Sequence, residues 1–114
     1  MTTLVCLVAA ACLTVVDGDT LHVGDERVRL WGIDAPEIDE PGGPAARDAL
    51  EEFAADGVRC RLPPSGQDRD RYGRAVRRCV TPDGRDVAAE LVGGGFAEDW
   101  PRYSGGFYAS KSSD

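Results

Sequence analysis

Two acidic glycine turns, Asp17-Gly18-Asp19 and Gly24-Asp25, sit among short runs of β-forming residues, and this punctuation constrains the chain more than any other feature. Leu13–Val16 and Leu21–Val23 flank the first turn. The second leads into a third β run, Val28–Ile33, closed by Pro36. Gly24-Asp25 thus marks a hairpin into that third run. Pro41-Gly42-Gly43 is a loop, and Pro44 suits the first residue of a helix, where its missing N–H costs nothing. Ala46, Leu50, Phe53 and Ala54 then follow helical spacing up to the stop at Gly57. Val58–Leu62 and Ala75–Val80 are two more strands, separated by the polar loop from Pro63 to Tyr72. Asp86 is placed to cap a second helix through Val87, Leu91 and Val92, ended by Gly93-Gly94-Gly95. Three strands, helix, two strands, helix is compatible with an α+β fold built on a five-stranded OB-type barrel with two packed helices, and with other α+β arrangements.

The chain has 114 residues, which bounds it to one domain. The expected limits are a barrel domain over 12–108 and a polar tail over 109–114. Residues 1–11 read either as a signal-like apolar segment, with Ala9-Ala10-Ala11 resembling a cleavage site, or as the start of the first strand. No basic residue precedes that apolar run, and it is too short to span a membrane. An exported location is therefore one open reading.

A net charge of −7 argues against a simple basic DNA-binding module. The charges are nevertheless segregated. Residues 17–40 carry eight acids against two arginines, and residues 59–85 carry eight arginines against three aspartates. Such runs form solvated faces in many proteins. Arginine, however, presents a planar fork suited to phosphate. The four cysteines, Cys6, Cys12, Cys60 and Cys79, form no CxxC pair, which argues against structural zinc. Cys6 and Cys12 fit small buried thiols as well as a bridge. Cys60 and Cys79 flank the arginine-rich loop on two strands, so a disulfide and two reduced thiols both stand; a bridge implies an oxidising compartment.

Chemistry concentrates in four short motifs: Asp17-Gly18-Asp19-Thr20, Arg29-Leu30-Trp31-Gly32-Ile33-Asp34, Ala35-Pro36-Glu37 and Asp70-Arg71-Tyr72-Gly73-Arg74. Strand alternation puts Arg29, Trp31 and Ile33 on one face and Leu30, Gly32 and Asp34 on the other. A carboxylate before a proline can cap a turn. Asp19 and Asp34 could instead supply a hard cation with oxygen ligands, if the first hairpin folds beside the third strand. Two arginines near that cation would suit a phosphodiester, because charge develops on the phosphoryl oxygens in the transition state. Glu37 could then orient or deprotonate a water.

These motifs, in this order, resemble the staphylococcal-nuclease (thermonuclease-like) family over roughly Cys12 to Tyr108. Asp86–Val92 and Gly95-Phe96-Ala97 add weaker support. The resemblance implies an OB barrel and a calcium-dependent endonuclease hydrolysing phosphodiester bonds of DNA and RNA, with 3′-phosphate products. It implies Asp19, Asp34 and the Ala35 carbonyl as calcium ligands, and Glu37, Arg29 and Arg74 as catalytic residues. Arg71, Tyr72, Trp100 and Tyr103 are implied as substrate-binding. Most of those roles have an unassuming alternative: an exposed loop acid for Glu37, a surface arginine for Arg74, packing aromatics for Trp100 and Tyr103. The loop after Glu37 is short and acidic (Asp39, Glu40), where some members carry a longer basic one. Members continue past the region of Tyr108 into a further helix. Ser110–Asp114 shows no helical period, so a less covered barrel side and marginal stability without ligand are expected, unless Trp100, Tyr103, Phe107 and Tyr108 fold back. The expected partner is nucleic acid, with no membrane association; no protein partner can be inferred, and a monomer is expected. The rival readings are a non-catalytic nucleic-acid-binding OB module and a protein-interaction domain using the acidic surface.

Overall fold

A meander of three antiparallel strands organises the molecule. The computed structural model describes residues 3–7 and 12–111, so the Ala9-Ala10-Ala11 run lies outside the described residues. Strands β2 (Leu13–Asp17), β3 (Thr20–Val23) and β4 (Glu26–Leu30) pair in sequence, with Val15 opposite Leu21 and Leu21 opposite Val28. Alternation turns Val15, Leu21, Val23, Val28 and Leu30 into the core. β7 (Ala75–Val80) adds to β4 in parallel, β6 (Val58–Arg61) pairs antiparallel with β7, and β1 (Leu4–Cys6) completes the far edge. The order is β1-β6-β7-β4-β3-β2. This sheet curls into a half-barrel that brings β1 back towards β3, and a Cys6–Cys12 disulfide ties β1 to the start of β2. The OB-type α+β expectation holds. The sheet has one strand more than expected because the apolar N-terminal run contributes β1 as a separate edge strand.

Helix α1 (Gly43–Phe53) buries Gly43, Ala46, Ala49 and Leu50 and packs against β2. Gly18 is held where α1 approaches the first turn: a Cβ there would lie 2.6 Å from the Ala46 Cβ and 2.8 Å from the Ala35 Cβ. The Asp17–Asp19 turn is thereby pinned between a helix and the segment that follows Asp34. Helix α2 (Val87–Gly93) starts as expected at Asp86, whose Oδ1 accepts from the Ala88 and Ala89 amides.

Two expectations need correction, and one alternative left open is decided. The third β run is not one strand. Trp31 and Gly32 form a turn, with Gly32 at φ +80°, and β5 (Ile33–Asp34) leaves β4 to pair with β8 (Glu98–Asp99). The alternation rule fails across that turn: Leu30, Trp31 and Ile33 are all buried, while Asp34 is exposed. The helices number three among the described residues, because Pro101–Ser104 forms a short α3, followed by a 3-10 turn over Ala109–Lys111. Both cysteine pairs are bridged. Cys60 and Cys79 face each other in register on β6 and β7, which gives the second disulfide.

Of the four aromatics named for the end of the chain, Tyr108 is fully buried, whereas Trp100, Tyr103 and Phe107 stay 37%, 43% and 42% exposed. The Tyr108 ring meets Trp31 edge-on at 5.9 Å, and its hydroxyl donates to Asp86 Oδ2 at 2.9 Å. One ring thus joins the core to the cap of α2, and burial beside Asp86 pushes the phenol well above its usual pKa. Among the described residues, no helix is long and apolar enough to cross a membrane.

Candidate active site

The first turn delivers Asp19 into the structure rather than to solvent. Its side chain is buried; Oδ2 accepts from the Ala35 amide at 3.0 Å, and Oδ1 accepts from the Thr20 hydroxyl at 3.2 Å. Arg29 Nη2 lies 3.4 Å from Oδ2. Burial nevertheless wins, with Asp17 nearby adding to it, so that the Asp19 pKa is raised to about 6 against the pull of Arg29 and the Ala35 amide. A buried carboxylate in that condition is short of positive charge.

Arg29 stands opposite Thr20 in the β3–β4 register. Its Nη1 donates to the Leu30 carbonyl at 2.7 Å, and its guanidinium lies 5.7 Å from the Trp100 ring centre. Arg74 reaches the same place from the loop before β7. Its Nε donates to Asp70 Oδ2 at 2.7 Å and its Nη1 to the Thr20 hydroxyl at 3.2 Å. Arg74, Thr20, Asp19 and Arg29 therefore form one continuous polar chain.

The loop carrying Arg74 is held from several sides. Asp70 Oδ1 accepts from the Tyr72 and Arg74 amides, both at 2.9 Å. Burial raises the Asp70 pKa, but its hydrogen bonds from Arg74 and Tyr72 outweigh that and hold it below the usual range. Arg69 makes a two-pronged contact to Glu26 on β4, with both bonds at 2.7 Å. Arg77, 1% exposed, bonds the Asp68 carboxylate and carbonyl and the Val76 carbonyl. Arg77 thus departs from the solvated-face reading of the basic run: it is an internal strut.

Two clefts open on either side of β5. The first, of about 540 Å³, is lined by Arg29, Arg74, Arg71, Tyr72, Trp100 and Tyr103, together with Arg102 and others. All four residues expected to bind substrate sit there with both expected arginines. The second, of about 570 Å³, is lined by Asp34, Ala35, Glu37, Glu40, Glu98 and neighbours. The Asp34 and Glu37 side chains are exposed and make no hydrogen bond or ion pair among the described residues. The structure thus joins Asp19 to the arginines and puts Asp34 and Glu37 on the adjoining cleft. Among the described residues, no three His, Cys, Asp or Glu side chains gather closely enough to hold a metal ion.

The available donors are Asp19, Asp34 and the Ala35 carbonyl. They are all oxygen and include a charge-starved buried carboxylate, which suits a hard cation supplemented by water. Sequence reasoning assigned no role to Thr20, Asp70 or Arg102. The first two stand inside quoted motifs, where their spacing to Asp19 and Arg74 was the available signal; Arg102 stood alone.

The family model for staphylococcal nuclease homologues matches residues 27–111. The chain is similar to the succinoglycan biosynthesis protein ExoI of Rhizobium meliloti (strain 1021), at 39% identity over 109 residues, covering 85% of this chain and 55% of that protein. It is similar to the endonuclease YhcR of Bacillus subtilis (strain 168), at 32% over 106 residues, covering 76% of this chain and 9% of that protein. An uncharacterized endonuclease of Escherichia coli O157:H7 is 34% identical over 94 residues, covering 79% of this chain and 60% of that protein. The chain spans between about a tenth and three-fifths of the length of these relatives. With three-quarters of its residues inside the family match, the chain belongs to the staphylococcal nuclease homologue family.

Proposed function

We propose that this domain is a calcium-dependent endonuclease hydrolysing phosphodiester bonds of DNA and of RNA. The observation that carries the reading is the polar chain Arg74–Thr20–Asp19–Arg29, which holds two guanidinium forks at the edge of one cleft. A phosphodiester seated there would receive donors from both arginines on its non-bridging oxygens, where negative charge accumulates as water attacks. Glu37, exposed in the adjoining cleft, is the residue to orient that water and accept its proton. Asp19, Asp34 and the Ala35 carbonyl would hold calcium, whose chemistry when bound is Lewis-acid polarisation of the phosphoryl group. Tyr72, Trp100 and Tyr103 offer ring faces and edges to the bases beside the scissile bond.

The separation of Asp34 and Glu37 from the arginines favours a second reading, a module that binds nucleic acid without cutting it. Plasmid nicking in calcium, in magnesium and in chelator separates the two. The expected result is nicking in calcium, none in chelator, and none by Asp19→Asn or Asp34→Asn in any of the three. Full activity in chelator sinks the calcium role, and salt-sensitive binding with no nicking under any condition establishes the binding module.

A further inference from the structure

The walls of the first cleft share a construction that the reaction by itself does not require. One runs Arg29–Trp100–Tyr103–Arg102: Arg29 lies 5.7 Å from the Trp100 ring, the Trp100 and Tyr103 rings meet edge-on at 4.6 Å, and Arg102 lies 5.6 Å from the Tyr103 ring. The other runs Arg74–Tyr72–Arg71, with distances of 5.4 Å and 4.9 Å to the ring of Tyr72. All four contacts fall within cation–π range. Each wall begins with an inner arginine bonded to a carboxylate, Asp19 or Asp70. Each ends in an outer arginine that has no carboxylate partner among the described residues. Arg102 makes no hydrogen bond or ion pair there, and Arg71 donates only to the Tyr72 hydroxyl, at 2.7 Å.

The inner arginines are thus internally neutralised, and the outer pair carries the surplus positive charge of the cleft, in a chain whose net charge is −7. A single phosphate between Arg29 and Arg74 would leave Arg102 with nothing to neutralise. A guanidinium spread on an aromatic ring keeps its edge N–H groups free, and that edge matches phosphate oxygens. We propose that Arg102 is a second phosphate site, gripping a phosphate of the bound strand away from the scissile one. This rests on the reading of the cleft as the nucleic-acid site.

The test is binding in chelator, where the strand stays intact, of a short fluorescent oligodeoxythymidylate and of thymidine 5′-monophosphate across a salt series. Each phosphate neutralised on a single strand contributes a slope of about −0.7 in log K against log salt. Arg102→Gln is expected to flatten the oligonucleotide slope by about that amount and to leave monophosphate affinity unchanged. Arg102→Lys, which keeps the charge, is expected to keep the slope. An Arg102→Gln slope equal to wild type overturns the proposal, as does equal weakening of both ligands, which would place Arg102 at the inner site. Wild-type protein that neither binds nor nicks nucleic acid instead overturns the endonuclease reading, and this inference with it.

Discussion

The two clefts are nearly equal in volume, about 540 and 570 Å³, and opposite in chemistry. Arginines and aromatic rings line one, and the carboxylates of Asp34, Glu37, Glu40 and Glu98 line the other. The divide is a two-residue strand: Ile33 faces the first cleft and Asp34 the second. Part of each charged stretch of the sequence is thus placed on adjoining clefts: Asp34, Glu37 and Glu40 on one, Arg71 and Arg74 on the other. Asp19, by contrast, is an acid from the first stretch buried beside Arg29. The arginine-lined and carboxylate-lined clefts therefore adjoin at one buried carboxylate, which pairs with Arg29 and accepts from the Ala35 amide, and the experiments that break or sharpen the contrast are those that alter that junction.

The largest effect is expected on the arginine side. Arg29→Lys and Arg74→Lys each replace a two-pronged donor by a point charge, and loss of one preorganised donor typically costs about 10²–10³ in rate. Steady-state turnover near wild type for either variant removes that residue from the catalytic set.

Next comes the junction itself, read as stability in chelator. A folded-state pKa near 6 for Asp19, raised by burial above the unfolded value of 3.8, means that the folded protein binds the extra proton between those limits. Stability should therefore fall as pH rises from about 4 to about 6, by on the order of 2–3 kcal/mol. Calcium should reverse the trend by favouring the ionised form. Denaturant midpoints across that window check it; a midpoint that rises from pH 4 to 6 in chelator contradicts it.

A smaller effect is expected at Thr20, whose hydroxyl donates to Asp19 and accepts from Arg74. Thr20→Val keeps the shape and removes both bonds, each worth about 0.5–1.5 kcal/mol, so kcat/KM should drop about 10-fold and Thr20→Ser should recover most of it. An unchanged kcat/KM in Thr20→Val would show that Asp70 alone positions Arg74.

The smallest effect belongs to the acidic cleft. Glu98→Gln should tighten oligonucleotide binding at most a few-fold at low salt. The gain should vanish near 1 M salt, where screening acts within about 3 Å. A gain that persists there would point to a contact rather than a field.

The local features of this molecule were legible in the sequence. The Asp17–Thr20 turn, the Asp86 cap and the hairpin at Gly24-Asp25 depend on neighbours a few residues away, and they form as their residues dictate. The strand break at Trp31-Gly32 was not legible, because it serves a partner strand at Glu98–Asp99 that sequence order keeps far off. Cys6–Cys12 differs: its halves are only six residues apart and meet by local closure, but the spacing fits buried thiols as well as a bridge. Arg77 looked like one more solvated arginine, and only the loop folded over it makes it internal. In the site, the family resemblance pointed to the arginines and Asp19. The exposure of Asp34 and Glu37 on a separate cleft depends on where β5 turns after Gly32.

The Cys60–Cys79 bridge has a consequence for chain integrity. It closes a covalent ring around the segment that carries Arg71, Tyr72 and Arg74. A protease cutting in the exposed stretch from Pro64 to Ser65 would open that ring without releasing either fragment. The nicked protein would migrate as one species until reduced. Its arginine loop would still be tied down by Arg69–Glu26, Arg77–Asp68 and Arg74–Asp70, all of which lie on the C-terminal side of the cut or reach across to β4.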